Sequence, residues 1–307
     1  MPTIADILQK TEGWFRSKGV PSARQQAQAT VGLALEVQPL QLVLQHDKPL
    51  SDDELERIRG IVKRRAAREP WAYIEGSAGF HAFEFKVRAG VLCPRPDTEA
   101  LVEAALGIIP ESADPVFVAD VGSGTGCVGL SIAGSRPGVR LYATDVSEVA
   151  LEVTRENVAA LGLSERVAVL RGPLLAPIPP ERPIDIIVSN PPYIPTADIE
   201  TLMPEVRDFE PRLALDGGPD GLDIYRALIP TAARRAREAV LVEIGHDQGD
   251  LVSALFREAG LHDVRITKDL GGRDRVVSGH THPRDPSRTE PPASQDDHHH
   301  QPARVFY

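Results

Sequence analysis

The sequence predicts an α/β protein: a doubly wound, mostly parallel sheet, preceded by a small N-terminal helical bundle and joined to it by a connecting β-hairpin. Three observations predict this. From about 94 to 280 short apolar runs alternate with helix-length stretches, the signature of a parallel sheet covered on both faces. Val116-Phe117-Val118-Ala119-Asp120-Val121 reads as a buried strand, Gly122-Ser123-Gly124-Thr125-Gly126 follows at once, and Cys127 begins a helix. Strand, glycine-rich turn and helix in that order open a nucleotide-binding unit, because glycines let the backbone turn tightly and approach a ligand without Cβ clashes. Residues 1–78, by contrast, carry only helical periodicity.

The elements follow in order. In 1–78 the apolar positions fall as Ile4-Ile7-Leu8, Val31-Leu33-Leu35, Leu42-Val43-Leu44 and Leu55-Ile58-Ile61-Val62, and Ser51 with Glu54 reads as the capping box of the last helix. Arg57, Arg59, Lys63, Arg64, Arg65 and Arg68 cluster there, either as a solvated face or as a docking patch. This bundle is the expected substrate-recognition domain. Residues 79–93 form a linker in which Phe80, Phe83, Phe85 and Val87 suggest a hairpin. A catalytic domain is expected over 94–280, with a helix at 99–109 and strands at 116–121, 141–145, 167–171 and 184–189. Ser147 and a helix over 148–161 follow the second of these strands. Beyond 280 the chain turns to Pro, Ser, Asp, His and Arg, so 281–307 reads as a disordered tail; His298-His299-His300 is too short to assign to metal, and no metal site is expected.

Spacing narrows the ligand. A dinucleotide fingerprint wants Gly or Ala three residues after its second Gly, and that place holds Cys127; no Gly-Lys-Ser/Thr follows as in ATPases. The run Asp120-x-Gly-x-Gly-x-Gly resembles instead the first motif of class I methyltransferases, which are Rossmann-like and bind S-adenosylmethionine. Asp145, ending the next strand, can accept from both ribose hydroxyls; its other reading is a residue of the helix N-cap region. Asn190-Pro191-Pro192-Tyr193 carries the chemistry. Two prolines after a buried strand stop both ladder and helix, so the chain is stiff and extended where parallel strands present their carboxyl ends. The Asn190 side-chain oxygen and the Pro191 carbonyl are then two fixed acceptors for a planar NH2 group, with Tyr193 beside them. Tyr193 either packs on the flat amide or plugs the sheet edge.

Over residues 1 to about 280 the chain resembles the HemK-type release-factor glutamine methyltransferases. The resemblance is carried by Arg68-Glu69-Pro70-Trp71-Ala72-Tyr73-Ile74-Glu75-Gly76, Pro94-Arg95-Pro96-Asp97-Thr98-Glu99, the glycine loop, Ser189 to Tyr193, Glu210 to Leu215, Gly217 to Leu222, Glu243-Ile244-Gly245 with Gln248, and Asp269 to Arg275. It implies that Gly122, Gly124, Gly126, Asp145 and Asn190 bind S-adenosylmethionine, and Ser123, Thr125 and Pro173 are expected at the same site. It implies that Asn190, Pro191, Pro192 and Tyr193 hold the glutamine of the Gly-Gly-Gln motif of peptide-chain release factors, with Asn190, Pro191 and Tyr193 catalytic. One departure is Gly172-Pro173-Leu174, where relatives often place an acid and an aromatic residue near adenine. Arg95 and Glu99 lie in a segment that the family sets beside the donor pocket; the other reading is that Asp97 or Thr98 caps the helix that follows.

Composition limits the alternatives. A net charge of −10 argues against a large duplex-DNA footprint, so no direct nucleic-acid partner is expected. No stretch of about 18 apolar residues is present, the N-terminus shows no signal-peptide pattern, and Cys93 with Cys127 suits a reducing compartment, so a cytoplasmic enzyme is expected. No association motif is present, so a monomer is expected. An exocyclic-amine (adenine N6) methyltransferase of nucleic acid, a ribosomal-protein glutamine methyltransferase and a non-catalytic donor-binding protein are the other readings.

Overall fold

The computed structural model describes residues 1–112 and 114–283, and the chain divides into two compact units, one over Met1–Glu75 and a second that begins at Gly76. The first is helical: α1 (Ile4–Ser17), α2 (Ala23–Leu35), α3 (Pro39–Leu44), α4 (Asp52–Ala66) and α5 (Trp71–Glu75). Ile4, Val31, Leu42, Leu50, Leu55 and Ile58 meet in its core, each burial worth about 1.5–3 kcal/mol. The Ser51–Glu54 capping box starts α4, with Glu54 N–H donating to Ser51 Oγ at 3.2 Å and Ser51 N–H donating to Glu54 Oε2 at 2.8 Å. The basic run of α4 is largely used inside the unit. Arg57 Nε donates to the Ala34 carbonyl, Arg64 chelates Glu69, Arg68 donates to the Gly19 carbonyl, and Arg65 is buried against Gln26.

The second unit opens with a hairpin, β1 (Ser77–Phe80) and β2 (Phe83–Lys86). It begins at Ser77, before the expected 79, because Ser77 and Ala78 pair with Lys86 and Phe85. A 3-10 turn over Pro96–Thr98 leads into α6 (Glu99–Leu106), which stops short of the expected 109 as Gly107 and Pro110 interrupt it. Then come β3 (Val116–Val121), α7 (Cys127–Ser135), β4 (Val139–Asp145), α8 (Glu148–Ala160), β5 (Val167–Arg171) and β6 (Ile186–Ser189). The chain continues through α9 (Pro204–Arg207), α10 (Asp223–Arg235), β7 (Ala239–Glu243), α11 (Gly249–Glu258), β8 (His262–Lys268) and β9 (Asp274–His280).

One seven-stranded sheet has the order β5-β4-β3-β6-β7-β9-β8. The first five strands are parallel and β9 is antiparallel to both neighbours. Alternate side chains of the central strands face opposite cores: Val118, Ile186, Val188 and Leu241 pack with α6 and α7, whereas Ala119, Ile187, Val240 and Val242 pack with α10 and α11. Chain order reverses between β3 and β6, which puts the topological switch point at their carboxyl ends. Thr281 still belongs to this unit, its N–H donating to the Glu238 carbonyl, while the tail expected over 281–307, with His298 to His300, lies from 284 onward outside the described residues.

Candidate active site

The glycine loop after β3 takes the left-handed backbone that glycine adopts without a Cβ penalty: Gly122, Gly124 and Gly126 have φ of 74°, 59° and 82°. Gly122 and Ser123 N–H both donate to the Thr144 carbonyl, which ties the loop to the end of β4. From α8, Thr154 donates to the Gly124 carbonyl at 3.0 Å and Asn157 to the Thr125 carbonyl at 2.9 Å. The sequence reading missed both; their one signal is polar side chains on an otherwise apolar helix face.

A cavity of about 440 Å³ opens at the switch point, within the range of small-molecule sites. The loop residues Gly122 to Thr125, Asp145, Pro173 and Asn190 to Pro192 all stand on its wall. A Cβ built on Gly122 or Gly124 would meet no protein atom within 4 Å, so both open onto free space that a guest can use. Gly126 is not on the wall. Its Cβ would lie 2.8 Å from Leu130 Cδ1 and 3.1 Å from Thr154 Cγ2, so it serves close packing of α7 and α8.

The Asp145 carboxylate ties the glycine loop to the N-terminus of α8. Oδ2 accepts from Gly124 N–H and Oδ1 from Ser147 N–H, each at 2.9 Å, and Ser147 is the N-cap of α8. Its place on the wall leaves the remaining lone pairs for a guest. Asp120, at the end of β3, is buried and accepts from Gly129 N–H at 2.9 Å. Burial pushes its carboxyl up to about 7, against that hydrogen bond. The Cys127 thiol is pushed up to about 12 by burial, so it is a packed residue and not a nucleophile.

Asn190 follows β6 directly. Its Nδ2 donates to Thr98 Oγ1 at 3.3 Å, which directs Oδ1 away from Thr98. Thr98 makes no helix-capping bond, so the cap reading is replaced by this contact. Asp97 likewise pairs with Arg275 at 3.3 Å. Among the described residues no hydrogen bond reaches the Pro191 carbonyl, so two acceptors stand side by side at the end of the strand. Tyr193 is off the wall. Its hydroxyl donates to Glu243 Oε1 at 3.4 Å and its ring packs on the α10–α11 core, the sheet-end position. Gln248 holds it there by donating to its carbonyl at 2.9 Å. Arg95, on the wall, pairs with buried Glu210 at 2.6 Å.

Comparison with known proteins decides the family. Residues 6–76 match the family described as PrmC N-terminal domain, and residues 101–205 the methyltransferase small domain. The chain is 41% identical over 279 residues to the release factor glutamine methyltransferase of Geobacter sulfurreducens, covering 90% of this chain and 96% of that protein. The chain belongs to the release factor glutamine methyltransferase family. Its likeness to the Moorella thermoacetica release factor glutamine methyltransferase is 43% identity over 279 residues, or 89% of this chain and 96% of that one. Among solved structures, the hMettl16 catalytic domain in complex with MAT2A 3'UTR hairpin 1 matches at TM-score 0.51 and 15% identity, over 76% of this chain and 84% of that chain. That likeness concerns the fold alone. Within this family member the residues that sequence reasoning did not single out for the site are Thr98, Glu210, Glu243, Thr154 and Asn157. Thr98, Glu210 and Glu243 lie in segments that carry the family resemblance, but their contacts come from elements remote in sequence, and no local motif marks Thr154 or Asn157.

Proposed function

We propose that this chain transfers a methyl group from S-adenosylmethionine to the side-chain amide nitrogen of a release-factor glutamine, the one in the Gly-Gly-Gln motif. The observation that carries the reading is one cavity that joins a glycine loop and Asp145 to two unshared acceptors, Asn190 Oδ1 and the Pro191 carbonyl. The first pair suits a nucleoside-bearing donor; the second suits a carboxamide. S-adenosylmethionine, when bound, supplies a methyl group on a positively charged sulfur. Gly122 and Gly124 give it backbone-close room, Asp145 is the acceptor for ribose hydroxyls, and Pro173 is an apolar side for the base.

An amide nitrogen is a poor nucleophile because its lone pair is delocalised, so the protein's task is orientation. Asn190 Oδ1 and the Pro191 carbonyl accept the two amide hydrogens and aim the nitrogen. Holding reactants in a near-attack arrangement contributes about 7–11 kcal/mol to such a reaction. The same two oxygens stabilise positive charge as it grows on nitrogen. Among the described residues the wall presents no His or Lys, in keeping with a proton that leaves after the methyl has arrived. Pro192 keeps the segment extended, and Tyr193 braces it from the sheet end.

The helical unit at 1–75 is proposed to recognise the protein substrate, and the cytoplasm, where translation factors work, as its place of action. In the described residues no helix is long and apolar enough to cross a membrane. The test is labelled-methyl transfer to a recombinant release factor, with duplex DNA and RNA as comparators and mass spectrometry of the loop peptide. The expected result is one methyl on the glutamine. Transfer to a nucleic acid instead would establish the exocyclic-amine reading.

A further inference from the structure

We infer that Gln248 is a positioning residue for methyl transfer: together with the close-packed glycines Gly217 and Gly221 it holds the backbone at Tyr193, and so keeps the Pro191 carbonyl aimed into the cavity. Pro191 and Pro192 have no N–H, so the stretch has no backbone donors at those two places. It can be held only through its carbonyls or from its flanks. The Pro191 carbonyl is left for a guest, and among the described residues no hydrogen bond reaches it. The hold therefore falls on the residues that follow. The inference rests on the reading of Asn190 and the Pro191 carbonyl as the amide acceptors.

Gln248 is buried and stands at the N-cap of α11. A short polar side chain at such a place usually accepts from the first turn of the helix, but Gln248 makes no such bond. Its amide reaches across the carboxyl ends of the sheet instead. Oε1 accepts from Gly245 N–H at 2.9 Å, and Nε2 donates to the Tyr193 carbonyl at 2.9 Å and to the Gly221 carbonyl at 3.4 Å. One planar group thus ties the loop after β7 and the loop before α10 to the segment after β6. Among side chains only the Asn and Gln amides offer an acceptor and two donors in one plane. The glycines press on the same backbone. A Cβ on Gly221, whose φ is 75°, would collide with the Tyr193 carbonyl oxygen and lie 2.7 Å from Gln248 Nε2; one on Gly217 would lie 2.9 Å from the Pro192 carbonyl oxygen. Ile194 N–H donates to the Leu215 carbonyl at 3.0 Å and Gly217 N–H to the Ile194 carbonyl at 2.9 Å, which closes a short parallel bridge just beyond Tyr193. The segment is therefore fixed at Tyr193 and Ile194 and packed against backbone at Pro192, with the Pro191 carbonyl left free.

The experiment measures, on the full chain, kcat and KM for labelled-methyl transfer to a release factor, S-adenosylmethionine affinity by calorimetry, and thermal melting. Gln248→Met keeps the length of the side chain and removes its hydrogen bonds. Gly221→Ala pushes on the Tyr193 carbonyl from a different loop. Each is expected to lower kcat by about tenfold to a hundredfold, the cost of misplacing a reacting geometry by about 1 Å. Donor affinity stays unchanged, because the glycine loop and Asp145 are held by β4 and α8. The KM for the release factor changes little, since one amide is a small part of a contact between proteins. A role in stability alone lowers the melting temperature and leaves kcat, measured well below it, at the wild-type value; that result in either variant overturns the inference. So does a donor affinity that falls in step with kcat, which marks a general collapse of the cavity. Should one variant not fold, the other carries the test alone. Asn190→Ala keeps the two readings apart: full turnover there removes the acceptor reading itself, whereas an inactive Asn190→Ala beside a fully active Gln248→Met removes only the role of Gln248.

Discussion

Asn190 offers the cavity an oxygen because its nitrogen is already engaged by Thr98, and it stands beside a proline carbonyl that no hydrogen bond reaches among the described residues. Removing that one oxygen should remove orientation and little else. Asn190→Ala is expected to abolish transfer while S-adenosylmethionine affinity, read by calorimetry, stays within about tenfold. Asp145 is placed differently, with both of its oxygens pinned by the loop and by the α8 N-terminus. Asp145→Ala is expected to weaken donor binding by about 1.5–3 kcal/mol, the worth of hydrogen bonds to a charged group. Unchanged affinity in the same titration would reassign that carboxylate to holding the loop.

At the scale of elements, the site depends on how closely α7 and α8 approach the sheet. Gly129 on α7 packs against Asp120, a residue of the cavity wall: a Cβ there would lie 2.8 Å from Asp120 Oδ2 and 2.9 Å from Leu141 Cδ1. Gly129→Ala should therefore lower stability in urea unfolding by about 1–3 kcal/mol through overpacking, although alanine is the better helix former. A variant as stable as the parent would show that α7 can shift away from β3. In the N-terminal unit, Ser51→Ala removes one half of a capping box whose N–H partners are at 2.8 and 3.2 Å. The expected cost is about 1 kcal/mol, checked by the same unfolding measurement.

Among the buried carboxyls of the described residues, Asp120 and Glu243 are both raised to about 7 from the usual range near 4. Such groups bind more protons in the folded than in the unfolded state between those values. Their contribution to stability is present below the unfolded pKa and is lost as pH rises through about 7. Asp269, held low by the Arg273 N–H, acts oppositely and only at lower pH. Urea unfolding from pH 5 to 8 should therefore show stability falling with pH, and Asp120→Asn should flatten the slope. A rise across this window would contradict the burial of these carboxyls.

Local chemistry alone determined the alternation of strands and helices, the glycine turn, the carboxylate at the end of β4, the capping box and the stiff Asn-Pro-Pro segment. These are properties of neighbours in sequence, set by backbone sterics and hydrophobic period. Tertiary structure decided what distance along the chain conceals. It set Thr98 against Asn190 across 92 positions, took Gly126 and Tyr193 off the cavity wall, and used most of the α4 arginines inside the bundle. Hydrogen-bond partners and packing surfaces exist only once remote segments meet, and no periodicity within either segment encodes which partner it will find.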